Sequence, residues 1–304
     1  MSDPTTRRNA LKCLAWGGAG TVFALSGGVF TSFDLAEAAS PRNATARPLF
    51  VQVSDSHIGF HQPANPDVIG TFARSVALIN DMAVAPAFVM HTGDITHLSK
   101  PEQFDTAAEI MKSIHTAEIH TVPGEHDVIG PEYMNRFGGP SGGKGYYSFD
   151  SHGVHFVALI NVLNFKPNGL GALGTKQLEW LEADLRGRPS SQPVVVFAHM
   201  PLWTIYAPWG WGTGDADQAM TYLRRFGSVT VLNGHIHQIV QKVEGNITFH
   251  TARSTGFPQP KAGMGPAPGP MTVPPDQLAS MLGLTSVSTV EHHRAIALAD
   301  RALA

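Results

Sequence analysis

Cysteine is almost absent from the sequence, because Cys13 is the only one among 304 residues and no intramolecular disulfide can form. A buried core must therefore stabilise the fold, and a chain of this length with 43% hydrophobic residues can form one large globular domain. Charged residues are also few, at 15%, and the formal net charge is −3. A basic surface is not expected, and neither is a nucleic-acid polymer as a partner.

Long apolar runs are scarce as well. Residues 13–30 form an apolar stretch, but five glycines interrupt it and it is barely long enough to span a membrane. An arginine pair at positions 7–8 precedes this stretch, and a small-x-small sequence at 36–38 follows it. The arrangement resembles a twin-arginine export signal, so we expect residues 1–38 to be removed after export by the twin-arginine machinery to the periplasm or the medium. The alternative is a membrane anchor, which the glycines disfavour.

Histidine, glycine and proline are plentiful instead, with 15, 31 and 22 residues. The glycines and prolines suit a loop-rich enzyme better than a helical bundle. Single histidines usually belong to a core or a surface, whereas a surplus that includes a His-x-His sequence points to metal binding. Residues 39–304 are expected to form one domain, in which segment 258–275, rich in Pro and Gly, runs along the surface.

Several short apolar runs have the composition of buried strands, and each is followed closely by residues that can bind metal. In α/β sheets, ligands lie beyond the carboxyl ends of the strands, so these residues are expected to meet. Residues two apart in an extended segment point the same way, which favours shared metal binding by each closely spaced pair. The runs and their polar followers are 49–53 with Asp55 and His57, 87–90 with Asp94, 119–122 with Glu125, His126 and Asp127, 194–197 with His199, and 229–232 with His235 and His237.

Segments with helical spacing alternate with these strands. Two further apolar segments, 146–149 and 154–160, are expected to pair across a turn, and a last strand is expected at 295–299. The alternation indicates an α/β protein. The predicted helices are 66–82, 101–114, 175–185 and 276–282.

Five motifs in this order resemble the calcineurin-like metallophosphoesterases, over roughly residues 48–251. That family carries Asp-x-His, Gly-Asp, Gly-Asn-His-Asp/Glu, a lone His and Gly-His-x-His. This chain follows the pattern except at Glu125, which stands where the family has Asn. The resemblance implies a four-layer αββα sandwich in which two mixed sheets are flanked by helices.

The resemblance also implies a dinuclear metal site, in which Asp94 bridges two metal ions. Shells of imidazole and carboxylate without thiolate suit Fe, Mn or Zn. A hydroxide held between the ions would attack phosphorus in a small phosphodiester or phosphomonoester. By the same resemblance, His126 protonates the leaving oxygen and Asp127 orients His126. One ion takes Asp55, His57 and His237, and the other takes Glu125, His199 and His235.

Glu125 leaves two functional interpretations open. A metal-bound Glu adds a negative charge and offers no N–H to the substrate, which disfavours a dianionic monoester more than a monoanionic diester. The alternative is a metal-binding protein on the same scaffold with little hydrolase activity. Two further features have an open role. His91 and His97 are expected to pack against the ligands rather than to bind metal, and the Trp-rich loop 203–211 forms either an aromatic wall over the site or a small core of its own.

Overall fold

The computed structural model describes residues 21–26, 29–34, 48–116, 118–163, 169–290 and 295–304. The described strands are β1 Thr21–Ser26, β2 Val29–Asp34, β3 Pro48–Val53, β4 Phe88–His91, β5 Glu118–Thr121, β6 Tyr147–Ser151, β7 Val154–Ala158, β8 Val194–Phe197, β9 Val229–Asn233, β10 Gln241–Glu244, β11 Ile247–Thr251, β12 Gly283–Val290 and β13 Ala295–Ala302. The described α-helices are α1 Val68–Asn80, α2 Pro101–Lys112, α3 Glu132–Phe137, α4 Thr175–Leu185, α5 Ala216–Leu223 and α6 Pro275–Met281.

Two mixed sheets form the centre of the fold. The first has the strand order β13-β12-β3-β4-β5, and the second has the order β10-β11-β9-β8-β7-β6. Strands β3, β4 and β5 are parallel to one another, as are β7, β8, β9 and β11. The antiparallel pairs are β3–β12, β12–β13, β6–β7 and β10–β11. The parallel strands of each sheet therefore end on one side, where the next loop begins.

The core between the sheets follows from the alternation of side chains along the central strands. Phe50 of β3 stacks on Phe88 of the same sheet, with ring centroids 4.8 Å apart, and meets Phe197 of the second sheet edge-on at 5.3 Å. The neighbouring Val51 points the other way and packs with Phe72 of α1. Strands that are apolar on both faces are typical of a sheet covered on both sides.

Helices cover the outer face of each sheet. On the first sheet, α1 and α2 bury their apolar stripes against β3 and β4. On the second, Leu181 of α4 and Leu223 of α5 pack against Val196 of β8. The predicted four-layer α/β sandwich of two mixed sheets flanked by helices is thus confirmed.

The predicted helices and strands agree with the structure apart from their ends. The helix at 175–185 is found with those bounds, and the final strand extends to Ala302. The sequence patterns did not predict β1, β2, β10, β12, α3 or α5. Segment 258–275 contains neither helix nor strand before α6 begins at Pro275, and most of its residues are at least partly exposed.

The predicted export signal, residues 1–38, is only partly described. Strands β1 and β2 form a separate antiparallel hairpin. Positions 7–8 and 36–38, on which the export prediction rests, lie outside the described residues, so it stays a prediction. Within the described part of the chain, none of the helices has both the length and the apolar character required to cross a bilayer.

Candidate metal centre

The polar residues that follow the parallel strands of both sheets lie close together, because these strands end on the same side. Loops after β3, β4 and β5 come from the first sheet, and loops after β8 and β9 come from the second. These loops carry all seven residues that the sequence predicted as metal ligands, and the structure brings all seven together. They are Asp55, His57, Asp94, Glu125, His199, His235 and His237.

The backbone at these residues is unusual and differs from the sequence-based expectation. Closely spaced pairs such as Asp55 and His57 do not continue an extended strand. Their φ angles are +54° and +45°, and Asp94, His235 and His237 also lie in the left-handed region. Residues other than Gly rarely adopt this backbone conformation, which costs about 1–3 kcal/mol for each residue. A sharp turn after each strand, rather than extended geometry, aims the side chains at one point.

Glycines allow the loops to approach this closely. A Cβ atom at Gly124 would lie 2.0 Å from Asp94 Oδ1, and one at Gly234 would lie 2.7 Å from Asp55 Oδ2. Any larger residue would displace a carboxylate, since real Cβ atoms do not approach other atoms so closely.

One group of ligand atoms forms around His57. Its Nε2 lies 3.3 Å from His237 Nε2, and His237 Nε2 lies 3.4 Å from Asp55 Oδ1. His57 Nε2 also lies 3.6 Å from Asp94 Oδ2. All four side chains are almost completely buried.

A second group forms around Glu125. Its carboxylate oxygens each lie 2.9 Å from an imidazole nitrogen, Nε2 of His199 and Nδ1 of His235. His199 Nε2 is also 3.4 Å from Asp94 Oδ2. The same Asp94 oxygen therefore lies within 3.6 Å of nitrogens from both groups, which is where a bridging carboxylate would be needed.

Backbone carbonyls fix the orientation of two of these imidazoles. Nδ1 of His199 donates to the carbonyl oxygen of Thr92 at 2.7 Å, and Nδ1 of His237 donates to that of Phe257 at 2.5 Å. A carbonyl oxygen only accepts, so the proton must be on Nδ1 in both rings. Nε2 of both rings consequently faces the cluster and is the nitrogen available for metal ligation.

Several polar atoms of the cluster are buried without a hydrogen-bond partner. Buried polar atoms are normally paired, because leaving one unpaired costs about 1–3 kcal/mol. Four oxygens and nitrogens with lone pairs, gathered here without thiolate, are the donor set that borderline metals such as Fe, Mn and Zn accept. The residues therefore fit metal ions. The atoms are Asp55 Oδ2, His235 Nε2, and the pair Glu125 Oε2 and His199 Nε2, which lie 2.9 Å apart without the geometry of a hydrogen bond.

The charges of the cluster also favour cations. Burial alone would raise the pKa of Asp55, but His237 and His199 lower it to about 2. Burial likewise opposes ionisation of Glu125, yet His235 and His199 hold its pKa well below the usual range. Burial would lower the pKa of His199, but Asp94 and Glu125 raise it well above normal. The carboxylates are thus ionised, as ligands must be, and they attract positive charge.

His126, the predicted acid, lies beside this cluster. Its Nδ1 donates to the carbonyl oxygen of His97 at 2.7 Å, and its backbone N–H donates to Asp94 Oδ1 at 3.0 Å. The first bond leaves Nε2 as the free ring nitrogen. Burial lowers the pKa of the imidazole, but the carboxylates of Asp94 and Glu125 outweigh this effect and raise it.

The expectation that Asp127 orients His126 is wrong. The Asp127 carboxylate accepts hydrogen bonds from the backbone N–H groups of Ile95, Thr96 and Gly124 and from the Thr96 hydroxyl, at 2.8–3.0 Å. It thereby ties the loop after β4 to the loop after β5. The role implied by the resemblance is instead taken by the carbonyl of His97, which accepts the Nδ1 proton of His126.

Of the two expectations for the Trp-rich loop 203–211, the structure agrees with a small core and not with an aromatic wall over the site. Trp209 and Trp211 are buried against Ile236, the residue between His235 and His237, so they form a small core that supports this loop. The Trp203 ring packs on Phe249. The sequence did not predict the contact from Phe257, whose ring stacks on His57 at 4.6 Å. Phe257 lies 20 positions beyond His237 and belongs to no sequence motif, so the sequence alone does not indicate this contact.

His91 does not join the ligand cluster. Its ring is fully buried, and its Nε2 lies 2.9 Å from Ser56 Oγ. This packing role agrees with the expectation from sequence.

The family of the chain follows from comparison with known proteins. Residues 48–239 match the calcineurin-like phosphoesterase family, and this match covers more than half of the chain, so the chain belongs to that family. The family is metal-dependent and its members hydrolyse phosphate esters. The chain is accordingly a metal-dependent phosphoric ester hydrolase.

Individual relatives are distant. The chain is 23% identical over 213 residues to a 3',5'-cyclic-nucleotide phosphodiesterase of Nostoc sp., covering 68% of this chain and 77% of the relative. It is 28% identical over 140 residues to the serine/threonine-protein phosphatase CPPED1 of Bos taurus, covering 42% of this chain and 44% of the relative. A dimetal phosphatase from Danio rerio shares the fold, with a TM-score of 0.64 and 16% identity over 84% of this chain and 97% of that chain.

Proposed function

We propose that the chain hydrolyses a small phosphodiester at a dinuclear metal centre. The observation that carries this proposal is the position of Asp94 Oδ2, within 3.6 Å of ligand nitrogens from two separate groups. Asp55, His57 and His237 would hold one ion, and Glu125, His199 and His235 would hold the other. When bound, two such ions neutralise the phosphoryl oxygens and lower the pKa of water.

The side chains around the ions would bind the ester and move its protons. His126 keeps its Nδ1 proton on the carbonyl of His97, so its Nε2 would deliver a proton to the leaving oxygen. Asp127 would hold the loops that carry Asp94 and Glu125 at a fixed separation. No side chain is required as a covalent nucleophile.

The charge of the centre supports a diester rather than a monoester. Asp55, Asp94 and Glu125 each contribute one negative charge, where the family pattern with Asn would have only two carboxylates. The added charge repels a dianionic monoester more strongly than a monoanionic diester. The Nostoc relative is named as a phosphodiesterase acting on cyclic nucleotides, which agrees with this preference.

This substrate preference is tested by comparing an aryl phosphodiester with the matching aryl phosphomonoester at equal metal loading. We expect kcat/KM to be higher for the diester by at least about tenfold, or about 1.4 kcal/mol. A higher value for the monoester would contradict the preference. Metal that is tightly bound without turnover of either ester would instead favour the alternative, a metal-binding protein with little hydrolase activity.

Export by the twin-arginine machinery is proposed on the sequence at positions 7–8 and 36–38. Replacing both arginines, as Arg7→Lys with Arg8→Lys, should leave a full-length protein in the cytoplasm, whereas the unaltered protein is exported and shortened by about 38 residues. Cell fractionation with mass spectrometry measures both properties. Equal export of the two forms would contradict the proposal.

A further inference from the structure

His97 contacts two histidines of the site, His57 and His126, through its ring and its backbone carbonyl. Its ring Nδ1 lies 3.3 Å from Nδ1 of His57, and its ring stacks on that of His126 with centroids 4.9 Å apart and planes at 16°. Its carbonyl oxygen accepts the Nδ1 proton of His126. The family motifs do not include this position, which lies three residues after Asp94.

Three histidines of the site share one arrangement, which His57 does not follow. His199, His237 and His126 each donate from Nδ1 to a backbone carbonyl, which leaves Nε2 free. Nε2 of His57 also faces the cluster, but its Nδ1 meets the ring of His97 instead of a carbonyl. The partner of His57 Nδ1 is therefore a side chain, which mutation can remove.

The geometry points to His97 as a positioning residue that holds His57 for metal binding and keeps His126 in place. This inference rests on the proposed function, because it takes His57 as a metal ligand. Binding through Nε2 places the His57 proton on Nδ1, so Nδ1 of His97 must accept it. His97 then carries its own proton on Nε2.

His97 is itself held firmly. Its backbone N–H donates to the carbonyl of Ile58 at 3.0 Å, and the Phe60 ring contacts its ring edge-on at 5.2 Å. Two residues further on, the Ser99 hydroxyl donates to the Asp127 carbonyl at 2.8 Å. The backbone around His97 is thus fixed, and Phe60 and His126 contact its ring, so the ring can transmit its position to His57.

Two substitutions separate the contacts of His97. His97→Asn places an acceptor oxygen where Nδ1 was, so it keeps the bond to His57 and loses the ring that stacks on His126. His97→Phe keeps a flat ring and loses the acceptor. Both retain the backbone carbonyl that binds His126. His61→Phe, at an exposed neighbouring histidine, is the matched control.

The experiment measures metal retention by the full-length zinc-loaded protein during titration with a chelator. Loss of a hydrogen-bond partner behind a ligand typically weakens metal binding about 10- to 100-fold. We expect His97→Phe to release one of its zinc ions about 10- to 100-fold more readily, and His97→Asn and His61→Phe to stay within about threefold of the unaltered protein. Equal retention by His97→Phe, or equal loss in both His97 variants, would overturn the inference.

A spectroscopic measurement tests the proton positions directly. Long-range ¹H–¹⁵N correlation of the zinc-loaded protein should show His97 protonated at Nε2 only and His57 protonated at Nδ1. A proton on Nδ1 of His97 would overturn the inference. An unaltered protein that binds no zinc would overturn the proposed metal centre together with it, whereas normal zinc binding with unchanged retention in His97→Phe would overturn the role of His97 alone.

Discussion

Replacing Asp94 with alanine is expected to lower kcat on an aryl phosphodiester by about a thousandfold or more, which corresponds to about 4 kcal/mol. The reason is geometric, because Asp94 Oδ2 is the oxygen that lies near His57 Nε2 and near His199 Nε2. Its other oxygen accepts the backbone N–H of His126. Removing the carboxylate thus weakens both metal positions and loosens the loop that carries the acid. Steady-state kinetics and metal analysis of the same sample measure the two effects.

Controls separate this effect from a general loss of structure. Asp105→Ala removes a carboxylate that pairs with Arg136 on the surface, away from the cluster, and should leave kcat within about twofold because exposed ion pairs contribute little. Circular dichroism and thermal unfolding show whether Asp94→Ala is folded. A folded Asp94→Ala protein that keeps both metal ions and full turnover would contradict the bridging role.

Replacing Glu125 with asparagine is expected to raise kcat/KM for an aryl phosphomonoester by about tenfold or more. Two unit charges 4 Å apart repel by about 4 kcal/mol at an effective dielectric constant near 20, and the metal ions offset part of this repulsion. Asn removes the charge and restores an N–H donor that can face the substrate. The gain on a monoanionic diester should be smaller, so the ratio of the two kcat/KM values reports the charge effect.

Two further variants identify which property of Glu125 matters. Glu125→Gln removes the charge while keeping the length of the side chain, and Glu125→Asp keeps the charge with a shorter one. A rise in monoester activity in the Gln and Asn variants, but not in the Asp variant, is expected from the charge argument. An unchanged or lower monoester activity in Glu125→Asn, with metal still bound, would contradict it.

Sequence predicted the central part of the fold because its strands are buried on both faces. Apolar, β-branched runs such as those at β8 and β9 contrast sharply with the histidines that follow them. Strand β12 gave no such signal. Its apolar residues Leu284, Val287 and Val290 lie three apart among hydroxyl side chains, which is not the period of a strand, and its role becomes visible only through its pairing with β3 and β13.

The ligand types of the site were predictable, but the way the chain holds them was not. Residue identity reveals Asp55 and His57, whereas their left-handed backbone depends on contacts such as the bond from Asp55 N to the Gly93 carbonyl. The carbonyls of Thr92 and Phe257 that orient two imidazoles belong to the backbone, which carries no residue signature. Long-range packing decides such contacts, so they require the structure.

The most direct measurement is the number of metal ions bound per folded chain, determined together with hydrolysis of an aryl phosphodiester by the same sample. A dinuclear centre predicts about two ions per chain, and turnover that disappears when a chelator removes them and returns when metal is restored. A folded protein that binds no metal, or one whose turnover is unaffected by complete metal removal, would contradict the account.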